Sequence, residues 1–468
     1  MARKVFISFL GYSNYGRCRY FKGEFMSDNL RYIQIATLDY LQTIEKWGED
    51  DIAYILLTEG AKKKNWEDNG HETPQTKEKK IQPGLDTCIK AKEYPFAIKT
   101  IENLPDGNNE DEIFEIFDRV FAELRPGDEL HFDVTHGFRY LPMLVLVLAN
   151  YSKFLKNIKV MAITYGNYEA RSEMGKADDQ KSVFKAPIVD LLPLSLIQNW
   201  TYAAADYLRN GKSDRFLELA KEYKISIFKG MRVGDKADAK LIESIANNLK
   251  LTIEDFQICR GREILDGKHV TNLKKDLLNL KETSIKPLKP LAKELNSAFE
   301  SFNSAEEKSD KLQFWNGFEA AKWCWNHQLY QQAAVILQEN IVSFFCNRHQ
   351  LDIYDIVQRS FVNMAFKFVP DLNNKDLSKE KEKEIRLKLE DYPTLKLLIE
   401  DPLINEKELY DAFGMITTER NDVNHNGMRK SPHRPDVIRD NIKIAIDVFY
   451  NFFHLNDIIN ESTYSSDR

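Results

Sequence analysis

Apolar and polar positions follow two different rhythms along this chain. Over the first 190 or so residues, short apolar runs alternate with stretches whose apolar residues fall at helical spacing. Val5–Leu10, Ile52–Thr58, Phe96–Ile101, Glu129–Val134 and Lys159–Tyr165 read as strands. Leu30–Trp47 places Ile33, Leu38, Leu41 and Ile44 at helical spacing. Ile113–Leu124 gathers Phe114, Phe117, Val120, Phe121 and Leu124 on one stripe, and Leu141–Leu155 is an apolar helix. The charged, polar stretch Lys62–Lys80 carries an Asn-Gly step and reads as an exposed loop. Strands alternating with helices of this length predict βαβ units and a mostly parallel sheet.

The rhythm changes near Pro187–Pro193. Beyond it the pattern is helical: Leu194–Leu208, Phe216–Tyr223, Lys240–Leu249, Thr271–Leu280 and Leu291–Phe299, the last set off by Pro287 and Pro290. A polar stretch, Ser301–Asp310, precedes two long helices with aromatic and aliphatic stripes, Phe314–His327 and Gln332–Cys346. Glu380–Asp391 is charged enough to be a solvated helix or loop, and Glu406–Thr418 is again helical. The predicted architecture is multidomain. A Rossmann-like α/β domain spans residues 1–190, a helical linker domain 191–310, and an all-α bundle 311–468.

Composition narrows the functional classes. The chain is 43% hydrophobic and 29% charged, as a folded globular protein is. A net charge of −6 leaves no global basic field, so any nucleic-acid contact is local. The five cysteines are odd in number and lack C-x2-C spacing, so they are expected to be reduced and to hold no zinc. Met1–Gly16 reads as a strand and turn, and no apolar run approaches the roughly 20 residues of a membrane span. A soluble cytoplasmic protein is expected.

Two segments at strand ends carry candidate chemistry. Phe9-Leu10-Gly11-Tyr12-Ser13-Asn14-Tyr15-Gly16 closes the first strand. Gly11 permits close backbone approach, Ser13 and Asn14 offer short polar groups, and Tyr12 and Tyr15 offer faces for stacking. The dinucleotide fingerprint is absent, and by itself such a segment is only a turn. Thr135-His136-Gly137-Phe138-Arg139 lies between the strand Glu129–Val134 and the apolar helix, where backbone N–H groups favour an anion. In an open parallel sheet both ends border the ligand crevice.

Together "FLGYSNYG" and "DVTHGFR" resemble the two ligand-contacting motifs of the CARF sensor domain, a CRISPR-associated Rossmann-like fold, over roughly residues 1–190. The resemblance implies that Gly11, Ser13, Asn14, Tyr15, Thr135, His136, Gly137, Phe138 and Arg139 bind a cyclic oligoadenylate. Tetra-adenylate is the commonest ring among look-alikes. Further on, Arg420-Asn421-Asp422-Val423-Asn424-His425 resembles the R-x4-6-H motif of HEPN ribonucleases, whose helical bundle residues 311–465 would match. A CARF domain followed by HEPN is the order of the ancillary ribonucleases of type III CRISPR systems.

The residue types suit RNA cleavage by its own 2′-OH. Proton transfer near neutral pH suits a histidine, a role open to His425, and Arg420 offers a positive fork to the phosphorane oxygens. Asn421, one helical turn before His425, orients the imidazole or the phosphate. On an ideal helix Arg420 and His425 stand about 140° apart, so a groove shared by two copies suits them better than one narrow pocket. Arg429, His433 and Arg434 read as a local basic patch near RNA, and His131 as pointing away from Phe132 across its strand.

The expectation is a metal-independent endonuclease for single-stranded RNA, without cofactor, switched by a cyclic oligoadenylate and working as a homodimer or a multiple of dimers. Two alternatives stand beside it. One is a ligand-responsive regulator or scaffold with an inert bundle. The other is a sensor domain that itself cleaves its ligand, for which Thr135 and His136 are the candidates.

Overall fold

The computed structural model describes residues 2–71, 82–176, 182–228, 235–280, 288–303 and 310–455. They form two compact units, Met1–Gln198 and Asn199–Arg468.

The first unit is built on one sheet of nine strands: β1 (Lys4–Leu10), β2 (Cys18–Lys22), β3 (Phe25–Leu30), β4 (Ile52–Thr58), β5 (Ala97–Leu104), β6 (Glu129–Asp133), β7 (Lys159–Gly166), β8 (Ser172–Lys176) and β9 (Ser182–Asp190). The order is β3-β2-β9-β7-β6-β1-β4-β5, with β8 paired to β9. The five strands predicted from the apolar runs form the parallel core β7-β6-β1-β4-β5. The other four strands carry mixed apolar and charged positions and escape a periodicity reading. They add antiparallel pairs, so the sheet is mixed at that edge.

Central β1 is buried on both faces, and its alternation sorts the core into two layers. Val5, Ile7 and Phe9 pack with Ile116, Val120, Leu141, Leu144 and Leu148, from helices Glu110–Glu123 and Leu141–Lys156. Phe6 and Leu10 pack on the other face with Ile35, Leu38 and Leu41 of helix Ile33–Ile44. That helix starts later than Leu30, because Phe25–Leu30 pairs with β2. Its end, at Ile44, precedes a buried Trp47.

The expected exposed loop over 62–80 is not one throughout. Lys62–Trp66 forms a helical turn with Asn65 wholly buried, Lys62 pairs with Glu102, and Lys63 pairs with Glu59. Residues 72–80 of that stretch lie outside the described residues.

The second unit is helical wherever it forms regular structure among the described residues. The expected helices correspond to Leu192–Asn210, Asp214–Phe228, Lys236–Gln257, Lys268–Asn279, Leu288–Phe299, Asp310–Asn326 and Tyr330–Arg348, with Leu280 and His327 falling just past their helix ends. The charged stretch is a helix, Lys379–Asp391, that buries only Ile385. Ile356–Leu372 and Pro435–Leu455 add two more long helices. Side chains from both sides of residue 310 share one core: Phe256, Phe299 and Phe302 belong with Phe318, Phe345, Phe413 and Phe449. The composition shift near 301–310 therefore marks no break in packing. The cysteines are all free, and Cys18, Cys324 and Cys346 are buried as small apolar side chains.

His131 follows the expected alternation. Phe132 enters one core layer, while His131 is buried on the opposite face, its ring 5.2 Å from that of Trp47. Burial pushes its pKa down to about 3. Between that value and the roughly 6.5 of an unfolded histidine, the unfolded chain binds a proton that the folded chain refuses. Stability contributed by neutral His131 is therefore lost as pH falls below about 6.5, at up to about 1.4 kcal/mol per pH unit. Urea unfolding at pH 7, 6 and 5 should show a shallower acid loss in His131→Gln. An identical slope in the variant would contradict the assignment.

Candidate functional site

The carboxyl ends of β1 and β6 lie side by side, with Ser8 registered against Asp133. Asp133 is completely buried there. It accepts from Ser8 Oγ at 2.7 Å and from the Thr135 hydroxyl and backbone N–H. Burial raises its pKa, and these bonds to Thr135 and Ser8 oppose the rise. The Thr135 hydroxyl accepts in turn from Gly166 N at 2.8 Å, which ties β6 to the end of β7.

A cavity of about 200 Å³ opens over these strand ends. Gly11, Ser13, Tyr15, Thr135, His136, Gly137 and Phe138 all line it. His136 and Tyr15 stack with centroids 3.8 Å apart and planes 17° from parallel. Burial keeps His136 neutral, its pKa pushed down to about 4, and leaves Nε2 without a hydrogen-bond partner. Burial also raises the pKa of the Tyr15 hydroxyl, which is likewise unpartnered.

Two glycines are sterically required. A Cβ on Gly11 would lie 2.6 Å from the Tyr15 hydroxyl. Gly137 has φ +116°, and a Cβ there would lie 2.3 Å from Leu141 Cδ1. After this turn the helix Leu141–Lys156 starts with Pro142 in its first turn. Among the described residues the N–H groups of His136 to Tyr140 have no intramolecular acceptor.

Two predicted contacts stand apart from the cavity. The Asn14 side chain accepts from Arg31 at 3.1 Å and does not line the wall. Arg139 is exposed and is not a lining residue. Sequence reading also missed Asn65. Its amide donates to Gly11 O at 2.8 Å and to Ser13 O at 2.9 Å, so it holds the turn after β1 from beneath. Tyr12, Thr58, Pro105 and Tyr140 also line the cavity.

The second motif ends the helix Lys407–Asn424. Its buried stripe runs Leu409, Ala412, Phe413, Ile416 and then changes chemistry, to Glu419 and Asp422. Arg420 turns the other way, with Nη2 3.6 Å from Glu339 Oε1 and Nε buried without a partner. Asn421 is exposed. His425 caps the helix with its backbone N–H on Asn421 O, and its exposed imidazole has no partner among the described residues.

The expected basic patch is a correction. His433 Nδ1 lies 2.7 Å from Glu419 Oε1, Arg429 lies 3.6 Å from Asp422, and Arg434 pairs with Asp436 at 2.8 Å. Buried carboxylates hold the first two side chains. Glu419, Asp422 and His433 also offer ligand atoms within 4.8 Å of one another, a spacing a metal ion can use, and Glu419 Oε2 is buried there without a hydrogen-bond partner.

Residues 5–169 match the family model of the CARF domain of the CRISPR system endoribonuclease Csx1. The first unit therefore carries a CARF domain. The chain is similar to the CRISPR-associated protein MJ1674 of Methanocaldococcus jannaschii, with 26% identity over 307 residues. That match covers 64% of this chain and 42% of the relative, so the chain spans about two fifths of the relative's length. Csm6 of Enterococcus italicus, solved with cyclic hexa-2′-fluoro-hexa-dAMP, aligns over 99% of this chain and 96% of its own. The identity is 12% and the TM-score 0.46, a loose likeness.

Within the CARF domain, Asn65 gives the sharpest test of how the cavity wall is held. Removing its amide strands two turn carbonyls, at about 1–3 kcal/mol for a buried group left unpaired. Asn65→Ala should lower the unfolding midpoint of the first unit accordingly. An unchanged midpoint in thermal or urea unfolding would show that the turn needs no such support.

Proposed function

We propose that this protein is a metal-independent endonuclease for single-stranded RNA, switched on by a cyclic oligoadenylate and working as a homodimer. Residues 1–190 are the sensor, 191–310 the helical linker and 311–468 the HEPN nuclease. The observation that carries this reading is the end of the helix Lys407–Asn424. Arg420, Asn421 and His425 occupy its last turn and cap, with Asn421 and His425 open to solvent. A solvent-facing histidine five residues from a half-buried arginine suits a substrate that arrives from outside.

In the reaction the RNA 2′-OH attacks the adjacent phosphorus. The O2′–P bond forms, the P–O5′ bond breaks, and the products are a 2′,3′-cyclic phosphate and a 5′-hydroxyl. His425 takes the 2′-OH proton or supplies one to the departing 5′ oxygen. Arg420 neutralises charge on the non-bridging oxygens once it exchanges Glu339 for phosphate. Asn421 orients the phosphate. Two copies of the motif across a dimer axis supply both groups to one groove.

The sensor cavity supports a ligand shared between two chains. At about 200 Å³ it falls below the roughly 300–1,000 Å³ that encloses a whole small-molecule ligand. One chain would hold one part of a cyclic oligoadenylate, tetra-adenylate being the expected ring. The free N–H groups of His136 to Tyr140 suit its phosphates. Arg139, exposed beside the cavity wall, would reach phosphates that project beyond it. Ligand cleavage by the sensor is the weaker reading. The Thr135 hydroxyl is engaged by Asp133 and Gly166, and the His136 ring is stacked on Tyr15.

His425→Ala and Arg420→Ala should each lower activator-dependent RNA cleavage by about 10²-fold or more while activator affinity stays unchanged. Cleavage should persist in EDTA and leave cyclic phosphate ends. Loss of cleavage on chelation, restored by Mg²⁺ or Mn²⁺, would overturn the mechanism. Arg139→Ala removes a charge-assisted contact worth about 1.5–3 kcal/mol from each of two copies. It should raise the activator concentration for half-maximal cleavage by several hundred-fold on the scale of about 1.4 kcal/mol per tenfold, with the maximal rate retained. A lowered maximal rate with normal activator binding would move Arg139 from the ligand site to the coupling machinery.

A further inference from the structure

The last turn of the Arg420 helix rests on two carboxylates that the cleavage chemistry does not use. Glu419 is 0% and Asp422 2% exposed. Buried carboxylates are costly unless paired and hydrogen-bonded, so their partners are held firmly. Glu419 Oε1 accepts from Asn441 Nδ2 at 2.7 Å, and His433 Nδ1 lies 2.7 Å from the same oxygen. Asp422 Oδ2 accepts from His433 N at 2.8 Å and lies 3.6 Å from Arg429.

These contacts close a loop. After His425 the chain reverses through Asn426 at φ +53° and Gly427 at φ +66°, and Gly427 N returns to Asp422 O at 2.9 Å. It then runs back along the helix end, where His433 reaches Glu419 with its side chain and Asp422 with its backbone. Asn441, on the next helix, grips the same Glu419 oxygen. The turn carrying His425 is thus fastened on both sides, at the helix behind it and at His433 ahead of it.

We infer that Glu419 and His433 form a clasp that positions the His425 turn, making His433 a positioning residue and not an RNA contact. The inference rests on the reading of Arg420 and His425 as the cleaving pair. A misplaced proton-transfer group loses turnover more than substrate affinity, because binding contacts remain while the reacting geometry does not.

The test uses the full-length protein at saturating cyclic tetra-adenylate with a labelled RNA substrate. His433→Ala should lower kcat on the order of 10–100-fold with KM within about twofold. His433→Asn should restore most of kcat, since its amide nitrogen replaces Nδ1 as donor to Glu419. Glu419→Gln, which keeps the side-chain shape, should match His433→Ala and serves if that variant folds poorly. Hydrogen exchange of the peptide spanning residues 424–434 should quicken in His433→Ala and recover in His433→Asn.

A raised KM with unchanged kcat would make His433 an RNA contact and overturn the clasp. So would His433→Asn as impaired as His433→Ala, or exchange at 424–434 that does not change. If the wild type cleaves no RNA with any activator, the nuclease reading fails, and the exchange measurement still decides whether the clasp exists.

Discussion

A carboxylate sealed inside the sheet governs the geometry of the cavity in the first unit. Asp133 cannot stay buried and charged without donors, and the donors within reach are the Ser8 and Thr135 hydroxyls and the Thr135 N–H. Meeting that demand joins the end of β1 to the end of β6 and fixes where the chain leaves β6. The following turn, through Gly137 at φ +116°, then presents its N–H groups beside the cavity and stacks His136 on Tyr15. Asn65 applies the same logic from below, holding the turn after β1 through two carbonyls. The cavity wall is thereby held by bonds within the first unit.

The helical unit repeats the device. Glu419 and Asp422 continue the buried stripe of Leu409, Ala412, Phe413 and Ile416, but with charge where carbon precedes. The chain beyond the helix must fold back to satisfy them, and in doing so it sets the turn at His425. Arg420 lies off that stripe against Glu339, which Arg359 also holds at 2.6 Å. An arginine parked on a half-exposed carboxylate is available for exchange with phosphate, since such pairs contribute little.

Much of the first unit was legible because β1 and β4 are buried on both faces and read as nearly continuous apolar runs, while β6 alternates Leu130 and Phe132 with polar residues. Strands β2, β3, β8 and β9 mix apolar, polar and charged residues without a regular period on one side of the sheet, where pairing partners and not periodicity decide the conformation. Seven of the nine expected sensor residues line the cavity because the turn that bears them follows a strand end. Asn14 and Arg139 were chosen by neighbourhood along the chain, which says nothing of side-chain direction. Asn65 was hidden in a segment whose lysines suggested solvent. The acids at 419 and 422 stand three residues apart, in step with the apolar stripe before them, and that step was the readable sign of a buried carboxylate pair. Reading His433 with its arginine neighbours along the chain missed it, because its partner lies fourteen residues back and across a turn.

The central claim is that a ligand in the first unit turns on cleavage at the second. It is tested most directly by titrating cyclic tetra-adenylate, and rings of other sizes, into the protein with a labelled single-stranded RNA in EDTA. The account predicts negligible cleavage without activator, saturable cleavage with one ring size, and products ending in 2′,3′-cyclic phosphate. Cleavage that proceeds equally without any cyclic oligoadenylate, or none with every ring tested while the ligand binds, would contradict it.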